Sequence, residues 1–159
     1  MDKKQRLIEF FNKAAINWND MKRSERLLER LEEIPIKKGD RVLDIGCGTG
    51  VISNWLYERS QRQVHAIDVS PNMIDIAINT HHVNDIKFEC IDFYEMNESG
   101  YDLLVCFDAY PHFLDTRTFA KKANELLNKG GYLVILHDIG RKELDKHHER
   151  IGVLSKLFS

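Results

Sequence analysis

The sequence predicts an α/β domain, doubly wound around a mainly parallel sheet, and three observations support this prediction. Short apolar runs alternate with segments of helical period from Arg41 onward, which is typical of a parallel sheet covered by helices on both faces. Acids stand at the ends of several of these runs, and a turn with three glycines follows the first run. A glycine-rich turn at the carboxyl end of a strand indicates a ligand site of the nucleotide-cofactor type.

The domain organisation follows from the same pattern. The chain has 159 residues, which corresponds to one domain with a buried core. Residues 3–15 and 24–34 carry apolar side chains at helical spacing ahead of the first strand. We therefore predict a helical cap over residues 1–38, an α/β core over residues 39–139 and a C-terminal helical segment over residues 140–159.

The elements of the core can be placed along the chain. Strands are expected at Val42–Ile45, 63–67, 86–91, Tyr101–Phe107 and 132–136. Helices are expected over residues 51–59, after Ser70 and over residues 116–128, and Gly130 and Gly131 are expected to stop the last of them.

The glycine turn differs from the dinucleotide-binding pattern. Gly46, Gly48 and Gly50 can take positive φ and let the backbone approach a ligand. Val51, however, stands where Gly-x-Gly-x-x-Gly has its third glycine or alanine, and Asp44 precedes the turn. A nicotinamide-linked oxidoreductase remains an alternative from these residues alone, because it shares the glycine turn and an acid after the second strand.

The strand and turn from Val42 to Gly50 resemble motif I of the class I S-adenosylmethionine-dependent methyltransferases. The resemblance continues in chain order with Asp68, with Asp92 and Phe93, with residues 108–113 at the position of motif IV, and with residues 130–136 as the fifth strand. It implies a Rossmann-like methyltransferase fold with sheet order 3-2-1-4-5 and the small-molecule type of acceptor. It also implies S-adenosylmethionine as cofactor and S-adenosylhomocysteine as product.

The same resemblance implies a set of cofactor-binding residues. They are Asp44, Gly46, Cys47, Gly48, Asp68, Val69, Asp92, Phe93, Phe107, Phe11 and Trp18. Asp44 would orient the turn and the methionine amino group, Asp68 would hold the ribose hydroxyls, and Asp92 would meet the adenine amino group. Val69 and Phe93 would pack against the adenine ring. Phe11 and Trp18 would belong to an N-terminal lid, with packing of a helix on the sheet as the alternative reading.

The residues for substrate chemistry are expected after the fourth strand. His112 is the candidate for a general base or an acceptor-orienting group, and Asp108, at the start of the same segment, is the second catalytic candidate. His137, His147 and His148 could join His112 in a metal site, or all four could be solvated or hydrogen-bonded side chains. No helical His-x-x-x-His or Cys/His spacing is present, so no metal is expected. A histidine pair at 81 and 82 is expected to face solvent at a helix end.

Composition limits the partners of the chain. The formal net charge is -2, which offers no general attraction to nucleic acid, and no apolar run is long enough to span a bilayer. A secretory signal is not apparent, and three cysteines without Cys-x-x-Cys spacing are expected to be reduced core thiols, which favours a cytoplasmic location. A small-molecule acceptor is the expected partner, with a non-catalytic cofactor-binding or partner-completing module as a further alternative.

The last expectation concerns the segment after the fifth strand. Residues 141–157 are expected to form one helix, broken or bent near Gly152, and nothing after this helix predicts a strand. The fifth strand would then have an open edge. Residues 141–157 could cover this edge within one chain, or two chains could pair there, and self-association as a homodimer is the favoured expectation.

Overall fold

The computed structural model describes residues 29–81, 84–107 and 115–136, together with Gln5 and the backbone of Gly152–Ser155. The elements in chain order are β1 (Val42–Ile45), α1 (Ser53–Ser60), β2 (Val64–Asp68), α2 (Pro71–Thr80), β3 (Ile86–Cys90), a 3₁₀ helix (Phe93–Glu95), β4 (Tyr101–Phe107), α3 (Thr116–Leu126), β5 (Leu127–Leu136) and β6 (Gly152–Ser155). Residues 29–31 are helical as well. None of the described helices is long and apolar enough to cross a membrane.

The strands form one sheet with the order β3-β2-β1-β4-β5-β6. The first five of these strands are parallel to their neighbours, and β6 is antiparallel to β5. Asp44 of β1 pairs with Ala66 of β2 on one side and with Val105 of β4 on the other. The predicted order 3-2-1-4-5 is therefore confirmed, and the carboxyl ends of β1, β2 and β4 meet at one edge of the sheet.

Both faces of the sheet are covered because alternate strand residues point to opposite sides. Val42 lies in a cluster with Trp55 and Leu56 of α1, whereas Leu43 lies in a second cluster with Phe119 of α3. All four residues of β1 are buried. Each large apolar side chain buried in this way stabilises the fold by about 1.5 to 3 kcal/mol.

The helices on the two faces begin at side-chain caps. The Ser70 hydroxyl accepts the Met73 amide at the start of α2, with Pro71 as the first helical residue. Asp115 accepts the amides of Arg117 and Thr118 at the start of α3.

The expected end of α3 is wrong. The helix ends at Leu126, and the chain passes directly into β5, so Gly130 and Gly131 lie inside a strand. A register shift between β4 and β5 accommodates them. A Cβ atom at Gly131 would stand 2.9 Å from the carbonyl oxygen of Asp102, so this glycine permits a close backbone approach.

The expected helix over residues 141–157 is wrong for Gly152–Ser155, the part of it that the structure describes. Gly152–Ser155 forms β6, which pairs with Tyr132–Ile135 of β5. The reason is that a bare edge of β5 presents unpaired amides and carbonyls, and even a short segment gains hydrogen bonds by pairing there. The homodimer was expected because the edge of β5 was expected to be open, and β6 occupies this edge. The rest of the C-terminal segment and nearly all of the helical cap lie outside the described residues.

A polar network braces β2, β3 and β4 on the face that carries α3. The imidazole of His65 lies 2.7 Å from the Tyr101 hydroxyl through Nδ1 and 2.8 Å from Glu89 Oε1 through Nε2. The Arg41 guanidinium stacks 4.1 Å from the centre of the Tyr101 ring and pairs with Glu98 at 3.0 Å. The Glu89 carboxylate can only accept, so His65 donates to it through Nε2. Burial raises the pKa of Tyr101 to about 12, so the hydroxyl beside Nδ1 stays protonated.

The pairing of β6 can be tested with a double substitution. Neighbouring residues of an antiparallel strand point their amides in opposite directions, so only one of the Val153 and Leu154 amides can donate to β5. The double substitution Val153→Pro, Leu154→Pro removes both amides and therefore this hydrogen bond. We expect faster hydrogen exchange in Tyr132–Ile135 and concentration-dependent association measured by light scattering. The Val153→Ala, Leu154→Ala variant keeps both amides and should behave like the unmodified chain. Unchanged exchange in the proline variant would show that β6 does not protect β5.

Candidate functional site

The glycine turn has the backbone expected of a ligand-binding loop. Gly46, Gly48 and Gly50 have φ values of 66°, 58° and 84°, a region that side chains disfavour. The Cys47 amide donates to the Ile67 carbonyl at 2.8 Å, and the Gly50 amide donates to the Cys47 carbonyl at 2.9 Å. The turn is therefore folded against the end of β2, where Asp68 stands.

Asp68 joins the glycine turn to the loop after β2. Its Oδ2 atom accepts the Gly48 amide at 2.8 Å, and its Oδ1 atom accepts the Ser70 amide at 2.9 Å. Burial raises the pKa of Asp68 above its ordinary value, while the amides of Ser70 and Gly48 act in the opposite direction. Each carboxylate oxygen has a second lone pair, so the same group can still accept hydroxyl hydrogen bonds.

Asp44 is fully buried beside the turn. The Ser53 hydroxyl donates to its Oδ2 atom at 2.7 Å, whereas Oδ1 has no hydrogen-bond partner among the described residues. Burial raises the pKa of Asp44 from 3.8 to about 7, Ser53 lowers it, and the charge of Asp68 raises it. An unpaired buried oxygen is costly. It fits an ammonium group such as the one that the predicted cofactor would bring.

The residues expected around an adenine ring are divided between the surface and the core. Val69 and Asp92 are half-buried, and Asp92 accepts the Tyr94 amide at 2.9 Å as the cap of the 3₁₀ helix. Phe93 is only 2% exposed and packs 5.0 Å from the Phe119 ring, so it belongs to the core. Its ring offers little surface for the predicted stacking on adenine.

Two of the three cysteines are buried and one is exposed. Cys47 and Cys106 are buried as expected, but Cys90 is exposed at the end of β3, because this edge strand is only partly covered. Burial raises the pKa of the Cys47 thiol well above its ordinary value. Cys47 is therefore a protonated thiol that contributes its main chain to the turn.

Several predicted residues lie outside the described part of the chain. They are Phe11, Trp18, Asp108, His112, His137, His147 and His148. Phe107, the residue before Asp108, is buried at the carboxyl end of β4, next to β1.

The sequence interpretation missed His81. This residue was expected to face solvent, but its Nε2 atom lies 2.9 Å from the Thr49 carbonyl oxygen and its ring is half-buried. The reason is tertiary: the end of α2 packs beside the glycine turn, which the helical period does not reveal. Ser53 was also missed, although a hydroxyl in the first turn after the glycines is a signal that sequence could have supplied.

A group of possible metal ligands is found among the described residues. Ligand atoms of His65, Glu89 and Glu98 lie within 4.8 Å of one another. Both nitrogens of His65 already face hydrogen-bond partners, and Arg41 neutralises Glu98. This network is better described as a brace of the sheet.

Comparisons with known proteins decide the family. A family model described as a methyltransferase domain matches residues 18–150. The chain belongs to the class I S-adenosylmethionine-dependent methyltransferase family. This methyltransferase assignment replaces the nicotinamide-linked alternative, and the cofactor of the family is S-adenosylmethionine.

Individual matches agree with this assignment. A ubiquinone biosynthesis O-methyltransferase of Coxiella burnetii is 28% identical over 82% of this chain and 60% of its own length. A malonyl-[acyl-carrier protein] O-methyltransferase of Acetivibrio thermocellus is 29% identical over 77% of this chain and 46% of its own length. The chain thus spans 60% or less of these two relatives.

A solved structure supports the fold. A chain from a Haloferax volcanii complex between the Trm112 methyltransferase activator and a methyltransferase superposes with a TM-score of 0.71. It is 20% identical and covers 91% of this chain and 69% of the other.

The buried acid Asp44 gives a prediction with a defined pH dependence. Its folded pKa of about 7 exceeds the ordinary 3.8, so the folded protein retains a proton that the unfolded chain releases. Stability is then lost as pH rises through this window. Asp44→Asn removes the titration, and it should stabilise the protein at about pH 8 by on the order of 2 to 4 kcal/mol, with little effect at about pH 4.

The same variant should bind the cofactor less well, because an amide does not offer a negative charge to an ammonium group. We expect S-adenosylhomocysteine affinity at least about tenfold lower by calorimetry. Thermal melts at both pH values provide the stability comparison. A pH-independent change in melting temperature would contradict the assigned titration.

Asp68→Ala should lower both stability and cofactor affinity, since it strands the amides of Gly48 and Ser70. Each stranded buried amide costs about 1 to 3 kcal/mol. The matched control is Asp115→Ala, which also removes a carboxylate that accepts two amides but lies at the start of α3. The control should lose stability and keep its affinity for S-adenosylhomocysteine. Equal affinities of the two variants, measured by calorimetry below both melting temperatures, would exclude Asp68 from the binding site.

Proposed function

We propose that the chain acts in transferring the methyl group of S-adenosylmethionine to an oxygen atom of a small-molecule acceptor. The observation that carries the proposal is the buried Oδ1 atom of Asp44 beside the glycine turn, which has no hydrogen-bond partner within the part of the chain that the structure describes. It supplies a negative group where a cationic amino acid moiety is expected. The two curated relatives described above are both named O-methyltransferases, which supports oxygen as the acceptor atom.

In this proposal, different residues of the chain bind different parts of the cofactor. Asp44 receives the methionine amino group, and the main chain of Gly46–Gly48 lines the methionine portion. Asp68 accepts the ribose hydroxyls while it continues to hold the Gly48 amide. S-adenosylmethionine supplies a methyl group activated by the positive charge of its sulfonium.

The adenine would lie between the half-buried Val69 and Asp92. The Asp92 carboxylate accepts a hydrogen bond from the exocyclic amino group of the adenine. Phe93 supports this wall from the core side, where it contacts Phe119.

The acceptor would lie beyond the end of β4. Phe107 is the last residue of that strand, adjacent to β1 in the sheet, so the residues after it start at the cofactor edge. Asp108 and His112 follow in the chain, and His112 takes the proton from the acceptor hydroxyl as its general base. Phe11 and Trp18 exclude water as part of a lid, since a water-free site strengthens the electrostatic interactions within it.

The first experiment separates binding from catalysis. Calorimetry with S-adenosylhomocysteine tests the cofactor site, and product mass after incubation with S-adenosylmethionine tests transfer. The acceptor panel contains a catechol, a malonyl thioester and phosphoethanolamine as an amine acceptor. Methylation of either oxygen acceptor supports the proposal, and methylation of the amine alone overturns the choice of oxygen. Tight binding without transfer to any acceptor would favour a non-catalytic module.

His112→Ala should lower methyl transfer by about 10²-fold and leave cofactor affinity nearly unchanged, because a positioned base contributes on this scale. His147→Ala from the C-terminal segment is the control and should retain activity. The measurement is the rate of S-adenosylhomocysteine formation across a pH range. Equal rates for His112→Ala and the unmodified chain at every pH would remove the general-base role.

A further inference from the structure

His81 connects the end of α2 with two other parts of the cofactor-binding half of the domain. Its Nε2 atom lies 2.9 Å from the carbonyl oxygen of Thr49, within the glycine turn. Its Nδ1 atom lies 2.9 Å from the side-chain nitrogen of Asn54, in the first turn of α1. One imidazole therefore bridges the turn and the helix that follows it.

These two partners determine the tautomer of His81. The amide nitrogen of Asn54 can only donate, so Nδ1 is the acceptor and carries no proton. The carbonyl oxygen of Thr49 can only accept, so Nε2 carries the proton. The Nε2–H group is therefore directed at the main chain of the turn.

The ring also fills the space beside Gly50. A Cβ atom at Gly50 would stand 2.8 Å from His81 Nε2 and 2.9 Å from its Cδ2 atom. On another side the imidazole packs against Phe88 of β3, with ring centroids 5.7 Å apart. Gly50 has a φ of 84°, so this left-handed residue is covered by an imidazole whose own position is fixed by β3 and α1.

We propose that His81 is a positioning residue for the cofactor. By holding the Thr49 carbonyl and covering Gly50, it keeps the turn at residues 46–50 in the conformation that receives the methionine portion. The physical basis is preorganisation: a turn with three flexible glycines loses less conformational entropy on binding if it is already held. The inference rests on the proposed function, because it assumes that this turn binds S-adenosylmethionine.

The test uses the full chain and two ligands, S-adenosylhomocysteine and adenosine. His81→Phe keeps an aromatic ring against Phe88 but removes both hydrogen bonds. We expect its affinity for S-adenosylhomocysteine to fall about tenfold, the effect of losing two ordinary hydrogen bonds. Its affinity for adenosine should change less than about twofold, because adenosine makes no use of the methionine-binding turn.

Two further variants give the comparison its specificity. His81→Gln places an amide N–H group near the position of Nε2 and should restore affinity to within about threefold of the unmodified chain. Thr80→Ala is the matched control, because Thr80 precedes His81 at the same helix end and its hydroxyl donates to Ile76 of its own helix. This control should bind both ligands normally.

The outcomes separate the inference from the function on which it rests. Failure of the unmodified chain to bind S-adenosylhomocysteine overturns the proposed function and the inference with it. Normal binding by both the unmodified chain and His81→Phe overturns the inference alone. Equal losses for S-adenosylhomocysteine and adenosine also overturn it, since they indicate general damage to the pocket.

A second route remains if His81→Phe does not fold. Asn54→Ala removes only the donor to Nδ1 and should weaken S-adenosylhomocysteine binding about threefold, with adenosine unchanged. Unchanged affinity for both ligands in Asn54→Ala would then overturn the inference.

Discussion

The hydrogen bonds of the Asp68 carboxylate are the constraint on which the cofactor half of this domain depends. One oxygen holds the amide of Gly48 in the turn after β1, and the other holds the amide of Ser70 at the start of α2. Two loops that are distant in sequence are thereby fixed to the end of one strand. Burial raises the pKa of this acid, yet the two amides favour its charged form. Asp68 was expected only to contact a ribose, but it also holds the glycine turn and the start of α2 in place.

At Asp44, the charge that would attract a cationic cofactor destabilises the fold. It is buried with one oxygen satisfied by Ser53 and the other without a partner among the described residues. A pKa of about 7 for this carboxyl group means that its charge opposes folding at neutral pH. A cationic ligand would relieve this cost, which supports the proposed place of Asp44 beside the methionine amino group. Unsatisfied buried groups of this kind commonly mark functional sites.

The opposite part of the sheet is organised by a separate polar network. His65, Tyr101 and Glu89 connect three strands, and Arg41 covers the Tyr101 ring. These contacts connect β2 with its neighbour β3 and, across β1, with β4, while β6 pairs with the edge of β5. β2 is therefore held by the His65 contacts near its start and by the hydrogen bonds of the Asp68 carboxylate at its end.

The sequence alone determined the alternation of strands and helices, the glycine turn and the acids at the strand ends, because period and turn chemistry are local properties. The sheet order was predicted from the resemblance to the methyltransferase family. Positive φ at Gly46, Gly48 and Gly50 follows from residue type, and the structure has it. The tertiary structure decided which side chains meet. It placed His81 against Thr49, moved Phe93 into the core and paired Gly152–Ser155 with β5. Such outcomes depend on how helices pack and on which edges remain open, and these are relations between segments that no local pattern contains.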